Sequence, residues 1–184
     1  MGLLSPELCL YPANLLEDHQ PQFGRNWQVI YTMARQEKAL ARQLASDEVP
    51  FYLPIVPRSY SIRGRRMTSF LPLFPGYIFT CVNEDERLRC FRASKRISSV
   101  IEVSDGAALA NELTNIQRLI DSGVPLAVEN QIEMGQRVRV AKGPLMGLEG
   151  MVVRRRRNAV LLVVVSFLHQ GVSLQIEDFM LERI

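Results

Sequence analysis

Apolar residues in the first two-thirds of the chain are spaced alternately as in strands and as in helices. Trp27, Val29 and Tyr31 occupy every second position, which is typical of one strand face, whereas Leu40 and Leu44 lie on one helical stripe. The same reading predicts, in order, a strand at 27–32, a helix at 35–46, strands at 55–62 and 70–82, a helix at 83–92, a strand at 97–103 and a helix at 109–120. This β-α-β-β-α-β order with a final helix describes a split βαβ sandwich.

The final fifty residues show the period of strands alone. Val138 and Val140 alternate with arginines, residues 160–165 are continuously apolar, and residues 172–176 alternate again. Five short strands with glycine-rich turns fit a small closed barrel, because closure removes the exposed edges. The sequence therefore predicts an α+β protein, in which an N-terminal split βαβ sandwich is followed by a small all-β barrel.

Composition adds the boundaries between these parts. Residues 1–25 contain three prolines and no sustained periodicity, which predicts an extension that is either disordered or packed on the neighbouring domain. We predict the first domain at 26–121, a linker at 122–134 and the barrel domain at 135–184. No apolar run approaches the ~18 residues of a membrane helix, and no secretory signal is visible, so we expect a cytoplasmic protein without a membrane partner.

The titratable residues do not form a pattern that predicts catalysis. Neither His19 nor His169 has a nucleophile or a metal ligand beside it in the sequence. The cysteines Cys9, Cys81 and Cys90 lack the paired spacing of zinc ligands and indicate reduced thiols. We therefore expect a protein that acts by binding, with no catalytic residue, metal or cofactor.

The segment Pro72–Phe79 gives the strongest indication of a binding surface. A proline-bounded turn leads into a strand there, and side chains two positions apart on a strand point the same way, so Tyr77 and Phe79 share a face. The candidate surface consists of four aromatic residues, Tyr31, Phe74, Tyr77 and Phe79. The alternative is that these rings form the core under the sheet.

Net charge is only +3, but the arginines are concentrated in two clusters beside predicted turns. The clusters are Arg63, Arg65 and Arg66, and Arg154, Arg155, Arg156 and Arg157. At a hairpin tip, guanidinium groups can reach phosphates beyond the sheet. A solvated loop is the alternative for either cluster.

The chain carries, in order, the segments Phe51–Pro54, Arg63–Arg66 and Pro72–Phe79 and a later motif with Gly143, Pro144, Gly147 and Gly150. In content and order these segments resemble the NusG family of transcription elongation factors, in which an NGN domain precedes a KOW domain that contains such a glycine motif. The resemblance extends from Trp27 to the C-terminus and is closest to the specialised RfaH-like paralogues. Leu88–Cys90 departs from those paralogues, which carry a polar His-Thr-Thr loop there.

The resemblance implies an elongation or antitermination factor that suppresses pausing or modulates termination. It assigns the four aromatic residues to the clamp helices of the RNA polymerase largest subunit, and Arg63, Arg65 and Arg66 to non-template DNA or nascent RNA. The KOW domain is expected to recruit a ribosomal protein or Rho. The alternative is a ribosome-associated or RNA-binding KOW protein, in which the second arginine cluster contacts phosphates.

RfaH-like KOW domains can also fold as a helical hairpin. In this chain, residues 160–165 include four valines, which are stiff at χ1 and fit a pleated surface better than a helix. We therefore expect a KOW domain that is constitutively made of strands.

Overall fold

The computed structural model describes residues 8–17, 24–129, 135–155, 158–176 and 181–184. They form a mixed α/β fold of two compact units, Met1–Ala107 and Ala108–Ile184. The helices of the described part are α1 (Glu37–Ser46), α2 (Glu84–Ala93) and α3 (Gly106–Asp121). The strands of the first unit are β1 (Leu10–Tyr11), β2 (Asn26–Thr32), β3 (Phe51–Tyr52), β4 (Ile55–Ile62), β5 (Arg65–Pro72), β6 (Tyr77–Val82) and β7 (Ile97–Glu102).

The first unit is built on a five-stranded antiparallel sheet with the order β1-β3-β6-β2-β7. Its central strands are buried because apolar residues occupy both faces; Val29 and Ile30 are both inaccessible to solvent. Leu40 and Leu44 of α1 join Ile30 and Ile78 in one core cluster, so the predicted helical stripe packs on this sheet.

The N-terminal extension contributes to this sheet. Leu10 and Tyr11 pair with β3, the amide of Leu53 donates to the carbonyl of Cys9, and Leu16 is buried. Of the two predicted alternatives for the extension, its described residues 8–17 therefore follow the packed one. His19 lies outside the described residues.

The predicted single strand at 70–82 is wrong. The strand β5 ends at Pro72 and pairs with β4 in a separate two-stranded sheet, whereas β6 begins at Tyr77 and belongs to the five-stranded sheet. Between them Gly76 has a φ of 87°, and the amide of Tyr77 donates to the carbonyl of Phe74. A turn of this kind interrupts the pleat, so the aromatic segment leaves the hairpin and enters the main sheet.

Capping hydrogen bonds fix the residue at which α2 begins and the residue at which α1 ends. At the start of α2, the Asn83 side chain accepts from the amide of Glu86 while the Glu86 carboxylate accepts from the amide of Asn83, and the two bonds form a capping box. At the end of α1, the amide of Val49 donates to the carbonyl of Leu44, and the amide of Glu48 donates to the carbonyl of Ala45. This pair of bonds is a Schellman motif.

The second unit is a six-stranded antiparallel sheet with the order β13-β9-β10-β11-β12-β8. Its strands are β8 (Ala127–Glu129), β9 (Gln136–Val140), β10 (Glu149–Arg155), β11 (Asn158–Val165), β12 (Gln170–Ile176) and β13 (Leu181–Arg183). The valine-rich segments thus form strands, as predicted. The strand β8 lies within the range predicted as a linker and pairs with β12.

Two hydrogen bonds connect α3 to the strand part of the second unit. A guanidinium nitrogen of Arg118 donates to the carbonyl of Met146 at 2.7 Å. The carboxylate of Glu112 accepts from the amide of Ser166 at 3.0 Å. Leu113 and Ile116, on the apolar stripe of α3, are inaccessible to solvent.

Candidate functional site

Tyr31 and Tyr77 form a partly exposed aromatic pair on the first unit. They face each other across β2 and β6, and their ring centroids are 5.3 Å apart with a tilt of 50°. Tyr31 is 43% exposed and Tyr77 is half-buried. Two large amphipathic rings are therefore available at one end of the sheet.

Phe74 and Phe79, the other two predicted aromatic residues, lie in the interior. They are 1% and 0% exposed, and their rings meet edge to face at 6.4 Å. Tyr52, which is also buried, packs on Phe79 at the same distance. The four predicted residues thus form two pairs. The tyrosine pair is partly exposed, and the phenylalanine pair is buried in the core.

The turn before Tyr77 is held by a buried acid that sequence reasoning missed. The Glu37 carboxylate, 8% exposed in the first turn of α1, accepts a hydrogen bond from the amide of Gly76 at 2.8 Å. The carbonyl of Gly76 accepts from the amide of Thr32 at 2.8 Å. The only signal in the sequence is an acidic residue at the start of a helix, where a negative charge is favoured by the helix dipole alone.

Gly76 also sets how closely Tyr31 approaches the turn. A Cβ atom at this position would lie 2.9 Å from Cε2 of the Tyr31 ring, and the φ of 87° favours glycine. The tyrosine pair therefore sits against a turn whose backbone is fixed from three sides, by Glu37, by Thr32 and by the ring itself.

The first arginine cluster occupies the end of the β4–β5 hairpin. Arg63 and Gly64 form its two-residue turn with φ angles of 49° and 76°, the signs that a type I′ hairpin turn requires. Arg65 and Arg66 are not part of the turn; they begin β5 and are exposed. Because neighbouring residues on a strand point to opposite faces, these two side chains diverge.

An open depression near the first turn of α1 adds further positive charge to the first unit. It is lined by Met33, Gln36, Lys95 and Arg96. The amide of Met33 donates to the carbonyl of Arg96, and the Arg96 guanidinium donates to the side chain of Gln43 at 3.2 Å. Sequence reasoning missed this group because its members come from two distant segments.

Leu88, Arg89 and Cys90, which depart from the RfaH-like pattern, lie in α2. Leu88 is 38% exposed, Arg89 is exposed and Cys90 is buried. Burial raises the pKa of the Cys90 thiol, and it raises the pKa of Cys81 to about 11. Both thiols are therefore protonated and act as small apolar groups.

The glycines of the predicted KOW motif serve the backbone of the second unit. Gly143 and Gly147 have φ angles of 88° and 82°, and the loop between β9 and β10 that carries them buries Leu145 and Leu148. A Cβ atom on Gly150 would lie 2.7 Å from the carbonyl oxygen of Leu162, so only glycine permits this pairing of strands. Pro144 belongs to the same loop.

The second arginine cluster is only partly within the described residues. Arg154 and Arg155 end β10, whereas Arg156 and Arg157 lie outside the described ranges.

In the part of the chain that the structure describes, no group of three or more His, Cys, Asp or Glu residues could hold a metal ion. Among the same residues, no helix has the length and apolar character needed to cross a membrane.

No curated protein matches this chain. Two of the solved structures to which it is similar are conformations B and A of the MjSpt4:Spt5 complex. Conformation B is 14% identical with a TM-score of 0.29, and the match covers 86% of this chain and 96% of that chain. Conformation A is 13% identical with a TM-score of 0.26, and the match covers 86% and 97% of the two chains.

A family model described as transcription termination factor nusG matches residues 25–120, more than half of the 184 residues. The match contains the tyrosine pair, the buried acid that holds their turn and the arginine hairpin. It begins at residue 25, the last residue of the N-terminal extension, and ends at residue 120, near the end of α3. On this match, the chain belongs to the NusG family of transcription factors.

Proposed function

We propose that the protein is a transcription elongation factor that binds the clamp helices of the RNA polymerase largest subunit, and that it suppresses pausing or modulates termination. The observation that carries the proposal is the exposed Tyr31–Tyr77 pair beside a turn fixed by Glu37. Within a family of transcription factors, an aromatic pair on a rigid sheet fits a protein partner better than a small molecule. No chemical step is required, because a factor that prefers one polymerase state shifts the population toward it.

In this function the four aromatic residues have two roles. Tyr31 and Tyr77 make the contact, since aromatic residues dominate the centres of protein interfaces. Phe74 and Phe79 lie in the interior and support the contact from within the unit. We expect tight packing there to restrict the backbone that carries the two tyrosines, which lowers the entropy lost on binding.

The finer architecture is part of the proposal. Residues 26–121 would be an NGN sandwich, residues 122–134 a linker, and residues 135–184 a KOW barrel that recruits a ribosomal protein or Rho. Two separate antiparallel sheets support two domains, and the glycine-dependent approach of β10 to β11 supports a KOW barrel. The compact units divide earlier than the proposed boundary, at Ala107/Ala108, and β8 lies within the proposed linker. The hairpin and the aromatic turn support a specialised RfaH-like paralogue.

Arg63, Arg65 and Arg66 are proposed to contact non-template DNA or nascent RNA beside the polymerase. The support is their position: Arg63 forms the hairpin turn, and all three side chains are exposed. Guanidinium groups in such positions bind phosphates largely independently of the nucleotide sequence.

The test of the main contact is the affinity of the full-length protein for purified core polymerase. Truncating an aromatic residue at the centre of an interface typically costs about 2 kcal/mol, so Tyr77→Ala should weaken binding roughly thirtyfold. Met146→Ala is the control, because Met146 is 64% exposed and lies on the second unit. Equal affinities of the folded Tyr77→Ala variant and the parent would refute the assignment.

A second measurement separates the proposed function from the RNA-binding alternative. Polymerase subunits should be recovered with the protein from nuclease-treated lysate. Their loss after nuclease treatment, with recovery of ribosomal material before it, would favour an RNA-binding KOW protein. In vitro transcription on a template with a pause site then shows whether the bound factor shortens the pause.

A further inference from the structure

The β4–β5 hairpin has two chemically different faces. Its strands pair over eight rungs, from Ile55 with Pro72 to Ile62 with Arg65. Because side chains alternate across a strand pair, every second rung lies on the same face. The apolar face consists of the rungs Val56/Leu71, Arg58/Ser69, Tyr60/Met67 and Ile62/Arg65. The hydroxyl face includes the rungs Pro57/Phe70, Ser59/Thr68 and Ser61/Arg66.

Four large apolar side chains of the apolar face are exposed. Tyr60 is 42% exposed, Ile62 50%, Met67 46% and Leu71 40%. Apolar residues that are adjacent on one exposed surface mark interaction sites more often than isolated ones do. The hairpin also forms a sheet of its own, and a two-stranded ribbon by itself is only marginally stable in water. Both observations indicate that this face is covered in a complex.

The charge of the hairpin defines the chemistry of what covers it. Residues 55–72 contain four arginines and no acidic residue. Two of the four, Arg58 and Arg65, lie on the apolar face among its aliphatic and aromatic side chains. A complementary surface therefore presents apolar groups at its centre and carboxylates around them.

We propose that the apolar face docks on a protein surface with an apolar centre and an acidic rim, and that RNA polymerase provides this surface. The inference rests on the proposed function, to which it adds a second contact separate from the Tyr31–Tyr77 pair. Protein is favoured over nucleic acid because Ile62, Met67 and Leu71 can neither stack on bases as aromatic rings do nor bind phosphates.

Nucleic acid is assigned instead to the hairpin turn and the hydroxyl face. Arg63 lies in the turn, and Arg66 shares its face with the hydroxyl groups of Ser59 and Thr68, whose oxygens are 3.4 Å apart. Guanidinium and hydroxyl groups are common phosphate ligands. Except at Arg65, which lies beside the turn on the apolar face and is also proposed to contact nucleic acid, the two faces separate a protein contact from a nucleic-acid contact within one hairpin.

The experiment measures the affinity of the full-length protein for core polymerase without nucleic acid. In the test variant, Tyr60→Thr and Met67→Thr are combined, since threonine removes apolar surface but keeps a high preference for strands. The control is Phe70→Thr, because Phe70 is 44% exposed but lies on the opposite face of the same hairpin. We expect about a tenfold weaker affinity for the double variant and less than about a twofold change for the control.

The Tyr77→Ala variant, measured in parallel, separates the failure of this inference from that of the proposed function. If Tyr77→Ala weakens binding and the double variant does not, the proposed function stands and the hairpin contact is refuted. A loss that occurs only with DNA present would assign the apolar face to nucleic acid and overturn the inference. Self-association of the parent that the double variant abolishes would also overturn it. A parent that does not bind core polymerase refutes both proposals.

Discussion

At the scale of single residues, Glu37 connects helix α1 to the turn that carries Tyr77. Its carboxylate accepts from the amide of Gly76 at 2.8 Å, and the ring of Tyr31 lies against the same glycine. In this position the buried carboxylate holds the backbone of the turn through a hydrogen bond, and not through an ion pair with a charged side chain. We therefore expect Glu37 to affect the proposed polymerase contact indirectly, through the orientation of the tyrosine pair.

Glu37→Ala is predicted to weaken polymerase affinity about fivefold, because a hydrogen bond to a charged group typically contributes ~1.5–3 kcal/mol and only part of this affects the bound geometry. Glu37→Gln should restore most of the affinity, since the amide oxygen can still accept from Gly76. The measurement is binding to core polymerase by titration.

Glu86→Ala is the matched control for this prediction. Glu86 is also 8% exposed and also accepts from a backbone amide, that of Asn83 at 3.0 Å, but it lies in α2. Its removal should lower stability without changing the affinity of the folded protein. Equal losses of affinity in both alanine variants would show that Glu37 acts only through stability.

The aromatic residues show what the sequence can and cannot predict at this scale. A period of two was enough to place Tyr77 and Phe79 on one face of β6. Exposure was not predictable, because Phe79 is covered by residues from elsewhere in the chain, including Tyr52 and Phe74. Glu37 could not be identified for the same reason, since its partner is 39 residues away.

At the scale of elements, α1 is followed by a non-glycine residue in the left-handed backbone conformation. Glu48 has a φ of 54° and occupies the left-handed position of the Schellman motif, where glycine is preferred. Its side chain is exposed. Glu48→Gly is predicted to stabilise the protein by about 0.5–1 kcal/mol, because it relieves the left-handed strain. Urea unfolding checks this value, and an unchanged or lower midpoint contradicts it.

The start of α2 gives stability that depends on pH. The hydrogen bond from Arg25 lowers the pKa of Glu86 below its ordinary value of 4.5, and the bond from the Asn83 amide acts in the same direction. A lowered pKa in the folded state means that this stabilisation is present above about pH 4.5 and is lost as pH falls through the folded pKa.

The parent should therefore lose stability in this acidic range more steeply than the Glu86→Gln variant. The comparison is made by urea unfolding at a series of pH values between neutral and acidic. Parallel curves for the two proteins would show that Glu86 does not titrate with folding.

Periodicity predicted the elements well wherever one pattern continued. Strands β2, β4 and β7 and the three helices were predicted within a few residues of their observed bounds. The strand at 70–82 was wrong because its apolar pattern continues through the turn before Gly76. The dipeptide Pro75-Gly76 does mark a turn in the sequence, but the strand prediction gave it too little weight against the continuous apolarity.

At the scale of the whole molecule, the arginine hairpin is predicted to make binding depend on salt. Replacing Arg63, Arg65 and Arg66 by alanine should reduce the slope of log affinity against log salt by ~1 for each lost phosphate contact, on complexes with DNA. The slope on core polymerase alone should change less. Identical slopes for parent and triple variant on DNA complexes would refute the nucleic-acid assignment.

The order of elements along the chain predicted a mixed α/β fold, but the pairing of strands that are distant in the sequence could not be predicted from it. Nothing in residues 8–17 indicates that Leu10 and Tyr11 add a strand to a sheet begun sixteen residues later at Asn26. Likewise, β8 is only three residues long, and its pairing with β12 depends on a partner more than forty residues away. Short strands are recruited by an existing edge and carry no periodicity of their own.

The two-residue strand β1 has a consequence for how the protein behaves in solution. It pairs with β3, whose other neighbour is β6, so Phe51 and Tyr52 have no free backbone edge at this end of the sheet. An open strand edge is a template for pairing with a second chain and thus for aggregation. The strand β1, which lies outside the family match, thereby protects the sheet at β3 from intermolecular strand addition.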